Sequence, residues 1–358
     1  MKIYILLGFA SILLLNVTAC KKPKKTDDPI AADDQSVVRK AVLTDMASNV
    51  IYATYTDMAA KSNILYTSLV TFSVSSTVSD LAAAQQAWKD VRSCWEQGEG
   101  FLFGPVSVDN IDPRIDSWPI DFARQDSILA SSAIFNAAYI DGLEESLKGF
   151  HPLEYLIFGK HTDPAQYTPR EKGLIVALAD NIKTLCNTAK ASWDPALAHN
   201  YTSTFVNAGN GGVYPTQRAA YEEVISAMAD ICSEVANGKI SELFLSGNAA
   251  LEESPFAKNS MIDFTNNIKS VQNMYLGKYI ADGKGLEDLI KANNIAMDGA
   301  VKTKLNNALT ALGNVTIPFG DAITQQPTQL QNCITALNDL KTYLENDVKT
   351  YVQSITNP

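Results

Sequence analysis

Apolar side chains recur along this sequence at intervals of three and four, the spacing of a helix that buries one face. The last segment is the clearest case: Leu330, Cys333, Leu337, Leu340, Leu344, Val348, Tyr351 and Ile355 form one stripe of a long amphipathic helix. Leu81, Ala84, Trp88, Val91 and Trp95 repeat the pattern, and Thr77 with Asp80 three residues later predicts a capping box at its start. A first long helix is predicted from about Val37 to Val70, with Ile51, Tyr55, Met58, Leu65 and Leu69 on one face and Ser and Thr residues that permit a break. Further helices are predicted over about 170–192, 216–236, 258–279 and 301–312, the third with a local cap from Ser260 and Asp263.

Glycine and proline punctuate the gaps at 103–119, 207–215 and 313–327. No run of alternating strands accompanies them, so the predicted fold class is all-α, a helix-bundle architecture. The chain exceeds the roughly 250–300 residues at which one core usually stops growing, which predicts two bundles. The glycine-rich stretch Asn207 to Gly212 is the natural boundary, dividing residues 36–206 from 213–358.

The first 35 residues follow other rules. Lys2, the apolar run from Ile3 to Leu15 and the small residues Val17-Thr18-Ala19 read as a secretory leader over 1–19, too short for the roughly 20 residues of a membrane span. Cys20, directly after the small residues, resembles a bacterial lipobox cysteine, the site of lipidation. An ordinary signal peptide with a chance cysteine is the rival reading. Residues 20–35 are polar and rich in Lys, Asp and Pro, the composition of a solvated tether. A lipid-anchored protein of the bacterial cell envelope is therefore expected. The net charge of −10 argues against nucleic acid as a partner and suits attraction of cations. Cys94, Cys186, Cys232 and Cys333 form no CxxC pair, so a cysteine zinc site is not expected; bridges and buried thiols both remain open.

Three histidines are present, His151, His161 and His199. His151 stands in Gly149-Phe-His-Pro-Leu-Glu154, where His and Glu three apart on a helix face one way and can address one ion. The same residues also make a plain helix start, with His151 as cap, Pro152 at the first helical position and Glu154 in the first turn. A second cluster pairs Glu96 with Glu99 at the end of an apolar stripe, followed by a loop rich in Phe, Trp, Gly and Pro that includes Trp118 and Asp121.

Three blocks in order make the sequence similar to the imelysin-like proteins: Glu99-Gly-Phe-Leu-Phe-Gly-Pro105 with Asp116-Ser-Trp-Pro-Ile-Asp121; the Gly149-x-His151-x-x-Glu154 signature; and Glu252-Glu-Ser-Pro-Phe-Ala-Lys-Asn-Ser-Met-Ile-Asp263 running into Asn267 and Tyr275-Leu-Gly277. The resemblance implies two helical-bundle halves with a pocket between them, in exported or lipid-anchored bacterial proteins linked to iron uptake. It makes His151, Glu154, Glu99 and Asp121 candidate metal contacts. Glu253, Ser254 and Asp263 would be the contribution of the second half, Glu96 and Tyr155 would line the pocket, and Trp118 and Pro105 would pack around it.

The expected ligand is iron or an iron chelate, passed to a membrane transporter or receptor; carboxylates with one imidazole are hard, oxygen-rich ligation that suits iron. Haem, with His151 as axial ligand, and zinc are alternatives. The family also carries a peptidase label. Against a zinc peptidase, Tyr155 stands where an inverted His-x-x-Glu-His motif needs its second histidine. A third reading makes the acids and His151 a structural polar junction in an interaction module.

Overall fold

The computed structural model describes residues 34–356, and the leader, Cys20 and nearly all of the tether lie outside them. Among the described residues every regular element is helical, with no strand. No helix among them is long and apolar enough to cross a membrane.

The first half is organised by α1 (Asp34–Asp45), α2 (Ala53–Ser75) and α3 (Val78–Glu96). A wide helical turn over Met46–Tyr52 joins α1 to α2, so the predicted break becomes a local widening of one continuous helix. Ile51, Tyr55, Met58, Leu65 and Leu69 are all fully buried, as the stripe predicts. Thr77 caps α3 by accepting from the Asp80 amide at 3.2 Å. Two short helices matter for the site, α4 (Ile111–Asp116) and α5 (Phe150–Glu154). The long α6 (Pro169–Trp193) then packs back on α2, its start closed by a Thr168–Glu171 capping box.

The second half contains α7 (Gln217–Ser233), α8 (Ser260–Leu276), α9 (Ile295–Gly313) and α10 (Pro327–Tyr343). α8 packs on α3, α7 and α9, and so is the helix through which the halves meet. One apolar core runs through both, from Val42 to Val352. α1 also crosses the boundary: Arg39 donates to Gln217 at 2.7 Å, and Tyr221 donates to the Arg39 carbonyl at 2.7 Å.

Three boundaries differ from expectation for physical reasons. The helix begun by α7 does not stop at Ala236 but runs through Gly238, as a wide turn over Glu234–Ser241, to Ser246. Burial of Val235, Ala236, Ile240 and Leu243 outweighs the cost of about 1 kcal/mol for an interior glycine. Ser260 does not cap α8: its hydroxyl accepts from Ser254 N and donates to Glu252, and Asn259 occupies the cap position. In the last helix a wide turn at Leu344–Val348 shifts the register, so that Val352 is fully buried and Tyr351 only partly. The four cysteines at 94, 186, 232 and 333 are buried free thiols.

Leu337 sits wholly inside this core. Leu337→Ala is expected to cost about 2–5 kcal/mol, read as a lowered midpoint in urea with an unchanged slope.

Candidate metal centre

The C-terminal end of α3 projects Arg92 and Glu96 toward the second half, its Trp95 donates to Asp116 Oδ2 at 2.6 Å, and the tight turn over Glu99–Phe101 adds Glu99. α4 ends on Asp116. Gly149, at φ +83°, starts α5, and a Cβ there would lie 2.2 Å from the Ile115 carbonyl oxygen. Only glycine permits that approach, which sets His151 beside Asp116. Gly149 therefore occupies the cap position that the sequence assigned to His151, and His151 lies inside the helix.

His151 is fully buried. Its Nε2 is 3.1 Å from Asp116 Oδ1 and 4.0 Å from Glu253 Oε1, while its Nδ1 is 3.6 Å from Glu154 Oε2. Neither ring nitrogen makes a well-formed hydrogen bond. One donor atom from each of Asp116, His151 and Glu253 lies within 4.8 Å of the others, and Glu96, Glu99 and Asp116 form a second such trio that shares Asp116. Trp118 covers the imidazole at a ring separation of 4.9 Å.

Glu154 sits next to His151, but its Oε1 accepts from the backbone N–H groups of Phe256 at 3.0 Å and Ala257 at 2.8 Å. Oε2 stands 3.6 Å from His151 Nδ1 without a hydrogen bond between them, on the side of the ring from which a carboxylate can orient a histidine ligand. Asp121 is not in the cluster: it caps the helix Phe122–Ala130 by accepting from Arg124 N at 3.0 Å. The chain turns between the two acids of that block, and Asp116 is the one carried inward. Tyr155 stands behind Glu154, with its ring against Phe122 and Phe256. Ser254 donates to Asp263 at 2.6 Å, and Asn259 donates to the other Asp263 oxygen at 2.7 Å. His161 pairs with Glu171 and His199 is exposed, so His151 is the imidazole of this cluster.

Four contributors were given no role in the sequence: Asp116, quoted only as part of its block, and three that hold the acids. Arg92, fully buried, reaches Glu96 and Glu253 at 2.6 Å each and also binds Asp116. Asn267 donates to Glu96 at 2.5 Å and to Glu99 at 2.8 Å. Lys239, from the wide turn after α7, reaches Glu99 at 3.2 Å and Glu253 at 3.5 Å. Arg92 was legible four residues before Glu96 on one helix face. Lys239 follows a glycine in a stretch that reads as a helix end, and it carries no signal.

Five carboxylates, from Glu96, Glu99, Asp116, Glu253 and Asp263, thus face two permanent cations, and a sixth, Glu154, faces the imidazole. Burial, reinforced by Glu96, raises Glu99 well above the ordinary carboxylate range and lifts Asp263 to about 7. Burial also raises Glu154. At Glu253 the upward push of burial is overcome by Lys239 and Arg92, which hold it at about 2. An excess of buried acid over base, around an imidazole without hydrogen bonds, fits a multivalent cation: the donors are oxygen with one nitrogen.

The family model for imelysin, peptidase family M75, matches residues 51–344. This chain belongs to the imelysin family. It is 31% identical over 246 residues to iron-regulated protein A of Synechococcus elongatus, a match covering 68% of this chain and 66% of that protein, just under two thirds of the relative's length. Two crystal structures share the imelysin fold. One, named for an iron-regulated protein A precursor of Parabacteroides distasonis, has a TM-score of 0.80 at 24% identity, over 90% of this chain and 96% of that one. The other, an imelysin-like protein from Psychrobacter arcticum, has a TM-score of 0.72 at 13% identity, over 88% and 95%.

Two outcomes follow. Gly149→Ala should destabilise the protein by on the order of 3 kcal/mol, because the new methyl meets backbone that cannot yield; a thermal melt reads this. Asp263 holds its proton more tightly folded than unfolded, so its contribution to stability is complete below about pH 4 and is lost as pH rises toward 7. Asp263→Asn should flatten the fall in stability between pH 4 and 7, measured by urea unfolding across that range.

Proposed function

We propose that this imelysin-family chain captures iron for uptake, holding the ion, free or in a small chelate, at Asp116, His151 and Glu253. The observation that carries the reading is the fully buried His151 ring, without a hydrogen bond at either nitrogen, with Nε2 facing carboxylates from both halves. The donor chemistry supports it, as does the name of the Synechococcus relative. When bound, the metal would supply positive charge to an acid-rich seam. The chain's own residues do the rest: Glu154 orients the ring, Trp118 covers it, and Arg92 holds Asp116, Glu96 and Glu253 in place.

Lipidation at Cys20 would keep this centre within a tether's length of a membrane of the bacterial envelope, where a transporter or receptor can receive the ion. Zinc accepts the same donor types. Haem fits the packing less well, because a porphyrin would have to displace Trp118 from the imidazole. The peptidase reading needs a carboxylate to activate water; two backbone amides hold Oε1 of Glu154, which leaves Oε2, fully buried beside His151, for that task.

Calorimetric titration of the purified protein with ferrous, ferric and zinc ions tests this. Wild type should bind, His151→Ala should lose binding, and Glu154→Gln should weaken it by about 10–100-fold. Equal binding by wild type and His151→Ala rejects the centre as assigned. Cleavage of an unfolded protein that stops with chelator and with Glu154→Gln would favour the peptidase instead.

A further inference from the structure

We propose that Lys239 is a built-in surrogate cation: its ammonium neutralises the acidic end of the centre while no metal is held, and an entering multivalent ion displaces it outward onto Glu234. The inference rests on the metal reading above and names what regulates that site.

The geometry is that of a group between two sets of partners. Lys239 Nζ lies 3.2 Å from Glu99 Oε2 and 3.5 Å from Glu253 Oε1 on the inside, and 3.3 Å from Glu234 Oε1 on the outside. The side chains of Glu99 and Glu253 are 5% and 10% exposed, whereas that of Glu234 is 55% exposed. Arg92 offers no comparable exit, being fully buried and bound by three carboxylates. Of the two cluster cations, Lys239 is the one with a way out.

Metal and ammonium compete for the same oxygen. Glu253 Oε1, which faces His151 Nε2 at 4.0 Å, accepts from Arg92 at 2.6 Å and stands 3.5 Å from Lys239. A metal ion bound there would stand a few ångströms from a full positive charge, inside a low-dielectric seam where repulsion is poorly screened. Arg92 is fixed by its carboxylates, so Lys239 is the cation that must leave. A monovalent ion would only exchange one unit of charge for another and would gain nothing, while a divalent or trivalent ion gains on the exchange. Lys239 thereby sets a threshold of charge for entry.

The local backbone suits the movement. Lys239 lies in the wide turn over Glu234–Ser241, and the preceding Gly238 has no atom within 4 Å of where a Cβ would stand. Wide turns recur at functional positions, and an interior glycine weakens the helix that contains it. Lysine's flexible four-carbon stem lets the ammonium change partners without moving the helix.

Amine labelling with acetic anhydride, read by mass spectrometry at each lysine, tests the displacement on the wild-type protein with and without anaerobic ferrous ion. Lys239 should be protected in the metal-free protein and labelled severalfold more when ferrous ion is bound, with the exposed lysines unchanged. Ferrous binding that leaves Lys239 protected overturns the surrogate role alone. Failure to bind ferrous ion overturns the metal reading and this inference with it. Lys239→Met supplies a second measurement, by stopped-flow quenching of Trp95 and Trp118 fluorescence. It should bind ferrous ion about tenfold faster, and an equal or slower rate overturns the proposal.

Discussion

Arg92 is the interaction on which the site depends. A guanidinium with no exposed surface must have its charge met by partners, since an unpaired buried ion costs several kcal/mol. It finds them on three separate pieces of chain: Glu96 one turn along its own helix, Asp116 at the end of α4, and Glu253 from the second half. Those three cannot surround one group unless α3, α4 and the loop before α8 meet in a single arrangement. The apolar core supplies most of the stability of the halves, and Arg92 determines the register in which they join.

That junction sets the chemistry. Each acid held near Arg92 is also held near its neighbours, and burial makes their repulsion strong. The result is a graded set: Glu253 stays ionised beside Lys239 and Arg92, while Glu99 and Asp263 are driven toward the protonated form. Under the proposed metal reading, such a site would exchange protons or an ammonium for a metal cation, and its affinity would depend on both pH and the position of Lys239.

Much of the site was legible as residue types and blocks. The resemblance drew Glu99, His151, Glu154, Glu253, Ser254 and Asp263 into one neighbourhood, and the structure brings all of them together. Of Asp116 and Asp121, five apart in one block, the resemblance put forward Asp121 as the metal contact, and the structure puts Asp116 in its place. The turn after α4 decides it, burying Asp116 and leaving Asp121 to cap a helix. Glu154 was legible as a partner of His151, but not as a carboxylate held by the amides of Phe256 and Ala257, residues about a hundred positions away. Lys239 was hidden because local propensity ends a helix at glycine, while burial of Ile240 and Leu243 carries the helix past it.

By itself the sequence determined the helical class, the faces that enter the core and the signature glycine, because these follow from periodicity and local geometry within one or two turns. The glycine was visible as a letter; that it admits the Ile115 carbonyl, and so sets His151 against Asp116, is a fact of packing. Only the tertiary structure decided which acid is a neighbour of the imidazole, which is tied to backbone and which is matched by a lysine. Those distinctions depend on contacts between segments far apart in the chain, where a few ångströms separate a carboxylate that faces the imidazole from one tied to backbone.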